Sequence, residues 1–134
     1  MRESEARARG LLPLLRFRNC AVAGLAPEIM GVGPTLAVRK VLGRLGMTLE
    51  QMDLIEFNEA FAAQVLAVMQ ETGMDPARTN VNGGAIALGH PIGATGAIMV
   101  IKLQHELARR GGRFGLVTMC IGGGQGMAAV FERP

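Results

Sequence analysis

Cys120 combines a reactive side chain with a sequence setting that suits acyl chemistry. It lies near the end of the apolar run 114–121 and is followed by glycines 122–124. Glycine backbone can approach a substrate closely, and its N–H groups can stabilise a developing oxyanion. The alternative is a cysteine buried as a small hydrophobic residue, which is a common use of this side chain. The run of glycines favours the chemical interpretation.

His90 is the second candidate, because Gly89 and Pro91 on either side restrict the backbone and fix the direction of the imidazole. A histidine held in this way could act as a base or as a hydrogen-bond donor near neutral pH. The alternative is a surface loop histidine without a chemical task. His105 and Lys102 fall on the polar face of a predicted helix, where we expect His105 to be solvated.

Asn58, Cys20 and Met30 are weaker candidates when each is considered alone. Asn58 stands just before an apolar helix, where asparagine is a favoured N-cap, so helix capping is its first interpretation. Cys20 has no glycine neighbour or nearby base and is expected to belong to the core. Met30 lies in a loop rich in proline and glycine and could line a pocket.

Strands and helices that would position these residues alternate along the chain. Apolar alternation and continuous apolar runs predict strands, while apolar residues at helical spacing with glycine stops predict helices. The predicted strands are 14–23, 53–57, 114–121 and 127–132, and the predicted helices run from Pro34 to Gly46, from about Phe61 to Gly73 and from about Thr95 to Arg110. The last two strands are expected to form an antiparallel hairpin, and the alternation indicates a layered α/β domain.

The same periods predict which side chains face the core. In the first strand, Leu15 and Phe17 share one face opposite two arginines, which is typical of a half-buried strand. The inner face of the second helix is predicted to consist of Phe61, Val65, Val68 and Met69.

Three segments rich in glycine and small residues lie at the ends of predicted elements, at 58–63, 83–96 and 120–126. In layered α/β domains, ligands bind in crevices outside the strand ends. We therefore expect the three segments to converge there, although they are far apart in sequence.

Composition excludes several classes of function. The chain has 134 residues, of which 49% are hydrophobic, enough for one domain with its own core. Fourteen basic and eleven acidic residues give a net charge of +3 without a basic cluster, so nucleic acid is not an expected partner. No run reaches the roughly 18 apolar residues of a membrane helix, so no membrane is expected either.

Metal, disulfide and nucleotide sites also lack their sequence patterns. Two cysteines one hundred residues apart and two histidines provide neither a disulfide framework nor a zinc spacing. We expect both thiols to be reduced and the chain to be cytoplasmic, since MRESEARARG fits neither a secretory signal nor a transit peptide. Residues 31–34 lack the third glycine of the dinucleotide fingerprint, and 122–126 precede a strand where that fingerprint requires a helix.

Three motifs together resemble the signature blocks of the thiolase family. They are NEAFA at 58–62, NVNGGAIALGHPIGATGA at 80–97 and CIGGGQG at 120–126, in the family's order and spacing. PEIMGVGP at 27–34 and the intervening helices extend the resemblance over practically the whole chain. It implies that residues 1–134 form a thiolase carboxyl-terminal domain, a layered α/β/α fold that is one βαβαβαββ half of the family's structure.

Thiolases condense acyl-CoA thioesters or cleave 3-ketoacyl-CoA through an acyl group held on a cysteine of the amino-terminal half. By resemblance, Cys120 is the second cysteine, which removes or returns the α-proton and deprotonates the attacking CoA thiol in cleavage. His90 is similar to the histidine that activates the nucleophilic cysteine and donates to an oxyanion hole. Asn58 is similar to the residue that holds the water completing this hole.

Further positions follow from the same resemblance. The backbone N–H of Gly122 is similar to a donor in a second oxyanion hole, which serves the acyl-enzyme step. Met30 and Phe61 match positions that line the acyl and pantetheine end of the pocket. Coenzyme A would be a substrate, and no cofactor or metal would be needed.

The resemblance also implies that part of the enzyme is absent from this sequence. The first half, with its nucleophilic cysteine, has no counterpart here, and the chain begins where the family leaves the first strand of the second half. We therefore expect a five-stranded sheet that lacks its central first strand, and a chain that is poorly stable or associates strongly. The expected partners are a CoA thioester, an amino-terminal thiolase half and further copies in a homo-oligomer.

Two functional hypotheses remain open at this point. The first is a thiolase catalytic half that is inactive alone and acts on CoA thioesters when the other half is supplied. The second is a non-catalytic thiolase remnant or an assembly module that pairs through sheet edges or helices.

Overall fold

One four-stranded sheet organises the chain, and helices pack on both of its faces. The computed structural model describes residues 1–134. The strands are β1 (Arg16–Gly24), β2 (Leu54–Phe57), β3 (Phe114–Ile121) and β4 (Gln125–Glu132). The helices are α1 (Glu3–Ala8), α2 (Gly33–Leu45), α3 (Ala62–Thr72), α4 (Ala85–Leu88) and α5 (Thr95–Arg110). Short 3₁₀ turns cover Pro27–Val32, Leu49–Gln51 and Pro76–Arg78.

The predicted helix ends are confirmed where glycine sets them. α2 stops at Gly46, which has φ of 62°, and α3 stops at Gly73, which has φ of 78°. Both values lie in the left-handed region that a residue with a Cβ enters only at an energetic cost. α5 has the same bounds as the predicted helix.

The sheet order is β1-β4-β3-β2. β2 and β3 are parallel, while β4 is antiparallel to both β1 and β3, so the predicted hairpin of β3 and β4 is confirmed. A single parallel bridge between Ile55 and Thr79 lies outside the named strands.

Four strands are present, one fewer than in a complete five-stranded half, but the sheet has no gap at its centre. Every neighbouring pair of strands is hydrogen-bonded, and the first strand of the chain, β1, lies at one edge. The prediction of a missing central strand with exposed inner edges is therefore wrong. The reason is that β4, the last strand, runs back between β1 and β3 and joins them.

α2 and α3 cover one face of the sheet and enclose the larger core. This core contains 13 buried residues, among them Val38 and Val41 from α2, Val68 from α3 and Phe57 from β2. The prediction that Phe61 belongs to the inner face of α3 is wrong, because α3 begins one residue later and the Phe61 side chain is 66% exposed.

α5 covers the other face only in part. Its buried residues Met99, Leu103 and Leu107 pack against Leu54 of β2 and Val117 of β3. No helix covers β1 and the adjoining part of β4 on this side in the same way.

Phe17 shows the consequence of this partial cover. Its side chain is 57% exposed and touches Phe131 edge to face, with ring centroids 5.8 Å apart. The prediction that Phe17 faces the core is wrong, because this side chain lines open cavities beside α1 and beside α5 and neither helix encloses it. None of the helices is both long and apolar enough to cross a membrane.

Candidate active site

The ends of β2 and β3 bring two of the predicted segments together. Phe57 pairs with Thr118 in parallel register, and the Asn58 backbone N–H donates to the Thr118 carbonyl oxygen over 3.0 Å. Asn58 follows β2 directly, and Cys120 lies two residues beyond Thr118 on β3. Since parallel strands end at the same edge of a sheet, both residues lie at the edge where α/β domains bind ligands.

Asn58 is not the N-cap of α3, so its interpretation as a helix cap is wrong. The residue before α3 is Phe61, and no side chain caps this helix end. Asn58 is only 3% exposed, and its Oδ1 atom has no hydrogen-bond partner in the protein. A buried amide oxygen without a partner is costly, and such groups in native proteins usually bond to ordered water.

A cavity of about 30 Å³ adjoins Asn58. Its walls also include Gly89 and Pro91, the two neighbours of His90, together with Thr95 at the start of α5. A site of this volume holds a water molecule when polar groups face it. The cavity therefore connects Asn58 with the loop that carries His90, which are 32 residues apart in sequence.

Thr95 is the hydrogen-bond partner of the His90 ring. The His90 Nδ1 atom lies 2.7 Å from the Thr95 hydroxyl oxygen, and this hydroxyl donates to the Pro91 carbonyl oxygen over 3.0 Å. A hydroxyl has one proton to donate. With that proton on the bond to Pro91, the Thr95 oxygen accepts from His90, and this arrangement places the proton of neutral His90 on Nδ1. Its Nε2 atom then has a free lone pair, as a base requires.

Cys120 is partly exposed on β3, opposite Gly126 of β4. Burial raises the pKa of the Cys120 thiol, and a hydrogen bond from its own backbone lowers this pKa by a smaller amount. The thiol is therefore protonated at neutral pH. In this state it can give up a proton, and as a thiolate it would be a strong base.

The three glycines after Cys120 form the turn between β3 and β4. A Cβ added at Gly122 would meet open space, so the backbone at this position faces outward. Gly124 has φ of 83°, and a Cβ there would lie 2.2 Å from the Leu25 carbonyl oxygen. The turn therefore packs closely against the segment after β1. Only glycine fits at position 124, because a side chain there would collide with the Leu25 backbone.

Met30 and Phe61 occupy different positions relative to this turn. Met30 is partly exposed in the 3₁₀ turn Pro27–Val32. A Cβ added at Gly33, just after that turn, would lie 2.7 Å from the Gln125 carbonyl oxygen, so the Met30 segment packs against the β3–β4 hairpin. Phe61 is exposed at the start of α3 and does not line the cavity beside Asn58.

An ion pair that the sequence pattern did not predict lies beside this site. Glu56 of β2 is 3% exposed, and its carboxylate accepts a hydrogen bond from the Lys102 ammonium over 2.7 Å. Both residues line the cavity beside Asn58, and Lys102 does not lie on a solvated face. A charged residue inside the apolar run 53–57 was the available signal, since a buried carboxylate requires a partner.

Comparison with known proteins identifies the family. The family described as "Thiolase, C-terminal domain" matches residues 11–133. The beta-ketothiolase BktB of Cupriavidus necator is 55% identical over 133 residues, which are 99% of this chain and 34% of that protein. The 3-ketoacyl-CoA thiolase of Bacillus subtilis is 52% identical over 98% of this chain and 34% of that protein.

Solved structures agree with the sequence comparison. The acetyl-CoA acetyltransferase of Bacillus anthracis superposes with a TM-score of 0.98 and 49% identity, over 100% of this chain and 34% of that one. Human mitochondrial 3-ketoacyl-CoA thiolase in complex with CoA gives a TM-score of 0.96 and 46% identity, over 98% of this chain and 34% of that one. The predicted thiolase-like α/β/α fold is confirmed, and the chain spans about a third of the length of these relatives. The chain belongs to the thiolase family and corresponds to that family's C-terminal domain.

Proposed function

We propose that this chain is the catalytic half of a thiolase-type acyltransferase, which condenses acyl-CoA thioesters or cleaves 3-ketoacyl-CoA reversibly. The observation that carries the proposal is the buried, unpartnered Oδ1 atom of Asn58 beside a cavity of about 30 Å³. Packing alone does not require such an atom. If Asn58 holds a water molecule near the His90 loop, an amide oxygen without a protein partner is expected at this position.

The proposed roles divide proton transfer from oxyanion support. Cys120 moves the α-proton of the acyl-CoA and deprotonates the CoA thiol in cleavage. His90 activates the nucleophilic cysteine of the other half through its free Nε2 atom and, with the water held by Asn58, stabilises one oxyanion. The backbone N–H of Gly122 donates to a second oxyanion. Each donor of this kind typically lowers a barrier by about 2.7–4 kcal/mol.

We further propose that Met30 and Phe61 contact the acyl and pantetheine part of the substrate. The contact between the Met30 segment and the hairpin after Cys120 supports the first assignment. The exposure of the Phe61 ring, 66%, supports the second, because this apolar side chain is open to a ligand.

The proposed partner is an amino-terminal thiolase half that supplies the nucleophile. The relatives extend well beyond this chain, which covers 34% of their length. On α5, Ile98 and Ile101 are 39% and 56% exposed, and Phe17 on the same side of the sheet is 57% exposed. Apolar side chains on one side of a domain are typical of a protein interface. Alone, the chain is proposed to be inactive.

Residues 1–134 are proposed to act as one thiolase carboxyl-terminal domain in a cytoplasmic homo-oligomer, with coenzyme A as substrate and without a further cofactor. The two cysteines are free thiols, which is usual in reducing compartments. The apolar surface on α5 supports association with other chains.

Reconstitution tests this function. The chain is mixed with the part of the Cupriavidus necator beta-ketothiolase that it does not span, and thiolysis of acetoacetyl-CoA is followed. We expect turnover by the mixture, none by the chain alone, loss of turnover with Cys120→Ser, and retained turnover with the matched variant Cys20→Ser. Turnover by the chain alone, or full activity of the Cys120→Ser mixture, would contradict the proposal.

The second candidate is a non-catalytic thiolase remnant or an assembly module. The exposed Ile98 and Ile101 side chains favour it, because they can bind a partner without chemistry. This function predicts a stable complex in the same mixture, by size-exclusion chromatography with light scattering, without thiolysis. It also predicts that Cys120→Ser leaves complex formation unchanged.

A further inference from the structure

Glu56 is a buried charge on an apolar face of the sheet. It follows Leu54 on the side of β2 that α5 covers, and it is 3% exposed. Burial raises the pKa of Glu56, and the hydrogen bond from Lys102 lowers it by a smaller amount. An apolar residue at this position would fit the surroundings at a lower cost. The carboxylate therefore has a task that packing does not explain.

Lys102 connects this carboxylate to the loop above it. Its side chain is 18% exposed, and its ammonium lies 2.7 Å from a Glu56 oxygen and 2.5 Å from the Gly83 carbonyl oxygen. An ammonium has three donors, so both bonds can exist together. Glu56 thus holds Lys102 at the place where it reaches Gly83.

Gly83 is the start of the segment that ends at His90. Its φ is 80°, and the segment is also held by Glu59, whose carboxylate accepts from the Ile86 backbone N–H over 2.9 Å. A Cβ added at Gly84 would lie 2.2 Å from the Glu59 carboxyl carbon, so the backbone rests directly on this side chain.

From Gly83 onward the chain leads to His90 through a single helical turn. The Leu88 N–H donates to the Gly84 carbonyl oxygen over 3.0 Å, and the Gly89 N–H donates to the Ala85 carbonyl oxygen over 2.8 Å. The far side of His90 is fixed by Thr95 at the start of α5. On the amino-terminal side of His90, the position of the loop depends on the contacts at Gly83 and Ile86.

We infer that Lys102, held in place by Glu56, is a positioning residue that fixes the His90 loop over the cavity beside Asn58. The inference rests on the proposed function for its role in turnover, but its effect on the loop does not. The ammonium of Lys102 bonds to Glu56 and to the Gly83 carbonyl oxygen, so Lys102 acts on the loop through the backbone of Gly83. Losing its bond would let the loop move as a unit, because α4 is only one turn long.

The primary test is amide hydrogen exchange in the full chain with Lys102→Met. We expect the amides of Leu88 and Gly89 to exchange about tenfold faster, the scale of one lost hydrogen bond to a charged group. The amides of β3 and β4 report the stability of the whole domain, which the unpaired Glu56 lowers in this variant, so they should return to their wild-type rates only in the double variant described below. The matched control is Lys40→Met, which removes an ammonium bond to the Val22 carbonyl oxygen on β1 and should leave Leu88 and Gly89 unchanged.

A second variant separates loop positioning from the cost of a buried charge. Lys102→Met alone leaves Glu56 unpaired, which destabilises the whole domain. The double variant Glu56→Gln with Lys102→Met removes that charge but does not restore the bond to Gly83. We expect its melting temperature to recover while Leu88 and Gly89 still exchange about tenfold faster. If the melting temperature and the exchange rates of Leu88 and Gly89 all return to wild-type values, the inference is overturned. It is also overturned if exchange in the double variant rises equally in the loop and in all strands.

Turnover of the reconstituted enzyme provides the functional test. With the double variant we expect kcat to fall roughly tenfold to a hundredfold, as misplaced catalytic groups do, with little change in KM. Lys102→Arg, which keeps two donors in reach, should restore part of kcat. A faster-exchanging loop with unchanged kcat would overturn the positioning role, whereas absence of turnover in the unaltered mixture would contradict the proposed function and leave the loop result intact.

Discussion

Replacing Thr95 with valine removes one hydroxyl while keeping a branched side chain of nearly the same shape. Thr95 is 5% exposed, so this similarity matters for packing. The hydroxyl is the group that accepts from His90 Nδ1 and donates to the Pro91 carbonyl oxygen. We therefore expect Thr95→Val to change the tautomer of His90 more than the stability of the fold.

The magnitude follows from the groups that lose a partner. The Pro91 carbonyl oxygen keeps the backbone N–H groups of Ala94 and Thr95, at 2.7 and 2.9 Å, so it is not left without a donor. His90 is exposed, and water can replace its lost partner. The loss is therefore one neutral hydrogen bond, about 0.5–1.5 kcal/mol, or about two- to tenfold in the ratio of the tautomers.

Imidazole ¹⁵N chemical shifts, measured at a pH where His90 is neutral, report the tautomer ratio directly. The wild-type chain should show the proton on Nδ1, Thr95→Val a mixture, and the control Thr95→Ser the wild-type pattern. In the reconstituted enzyme kcat should fall with the fraction of His90 that keeps a free Nε2. An unchanged ratio in Thr95→Val, or an equal shift in Thr95→Ser, would refute the proton assignment.

Three further predictions concern the core, an ion pair and the thiol. Leu103→Ala should lower the free energy of unfolding by about 2–5 kcal/mol in urea, whereas the exposed control Leu66→Ala should stay within about 0.5 kcal/mol. Hydrogen bonds from Arg113 hold the pKa of Glu132 below its ordinary value of 4.5, so this carboxylate adds stability above pH 4.5 that is lost as the pH falls through the folded-state pKa. The Glu132→Gln variant should lose this contribution to the dependence of the free energy of unfolding on pH. An unchanged dependence on pH would contradict the prediction. Because burial raises the pKa of Cys120, its alkylation rate should still be rising at pH 9.0, and a plateau reached at lower pH would be inconsistent with this burial.

Much of the fold could be predicted because its signals are local. The ends of α2 and α3 at Gly46 and Gly73 need only the conformational freedom of one residue. The β3–β4 hairpin needs two apolar runs and a glycine turn, which are contiguous in the sequence. The thiolase motifs likewise stand in the sequence as written, which is why the family could be identified before the fold.

Side-chain environments were harder, because they depend on which distant element covers a residue. Phe17 has the alternation of a buried strand residue, yet it lines open cavities beside α1 and α5 and is exposed. Asn58 has the sequence setting of a helix cap, yet α3 begins later and Asn58 is buried without a partner for Oδ1. Lys102 has the spacing of a solvated helix face, yet it pairs with Glu56.

Residue types and motifs are enough to identify the chemical groups of this protein: the cysteine before a glycine turn, the histidine between glycine and proline, the asparagine after a buried strand, and the family that has all three. The contacts between these groups become visible only in the folded chain. The parallel register of β2 and β3 places Asn58 and Cys120 at one edge of the sheet, the Thr95 hydroxyl lies against His90 Nδ1, and the ion pair of Glu56 and Lys102 reaches the Gly83 carbonyl oxygen. Sequence periodicity has no signal for these contacts, because Glu56 and Lys102 are 46 residues apart in the chain, and the nearby His90 and Thr95 meet only through the folded shape of their loop.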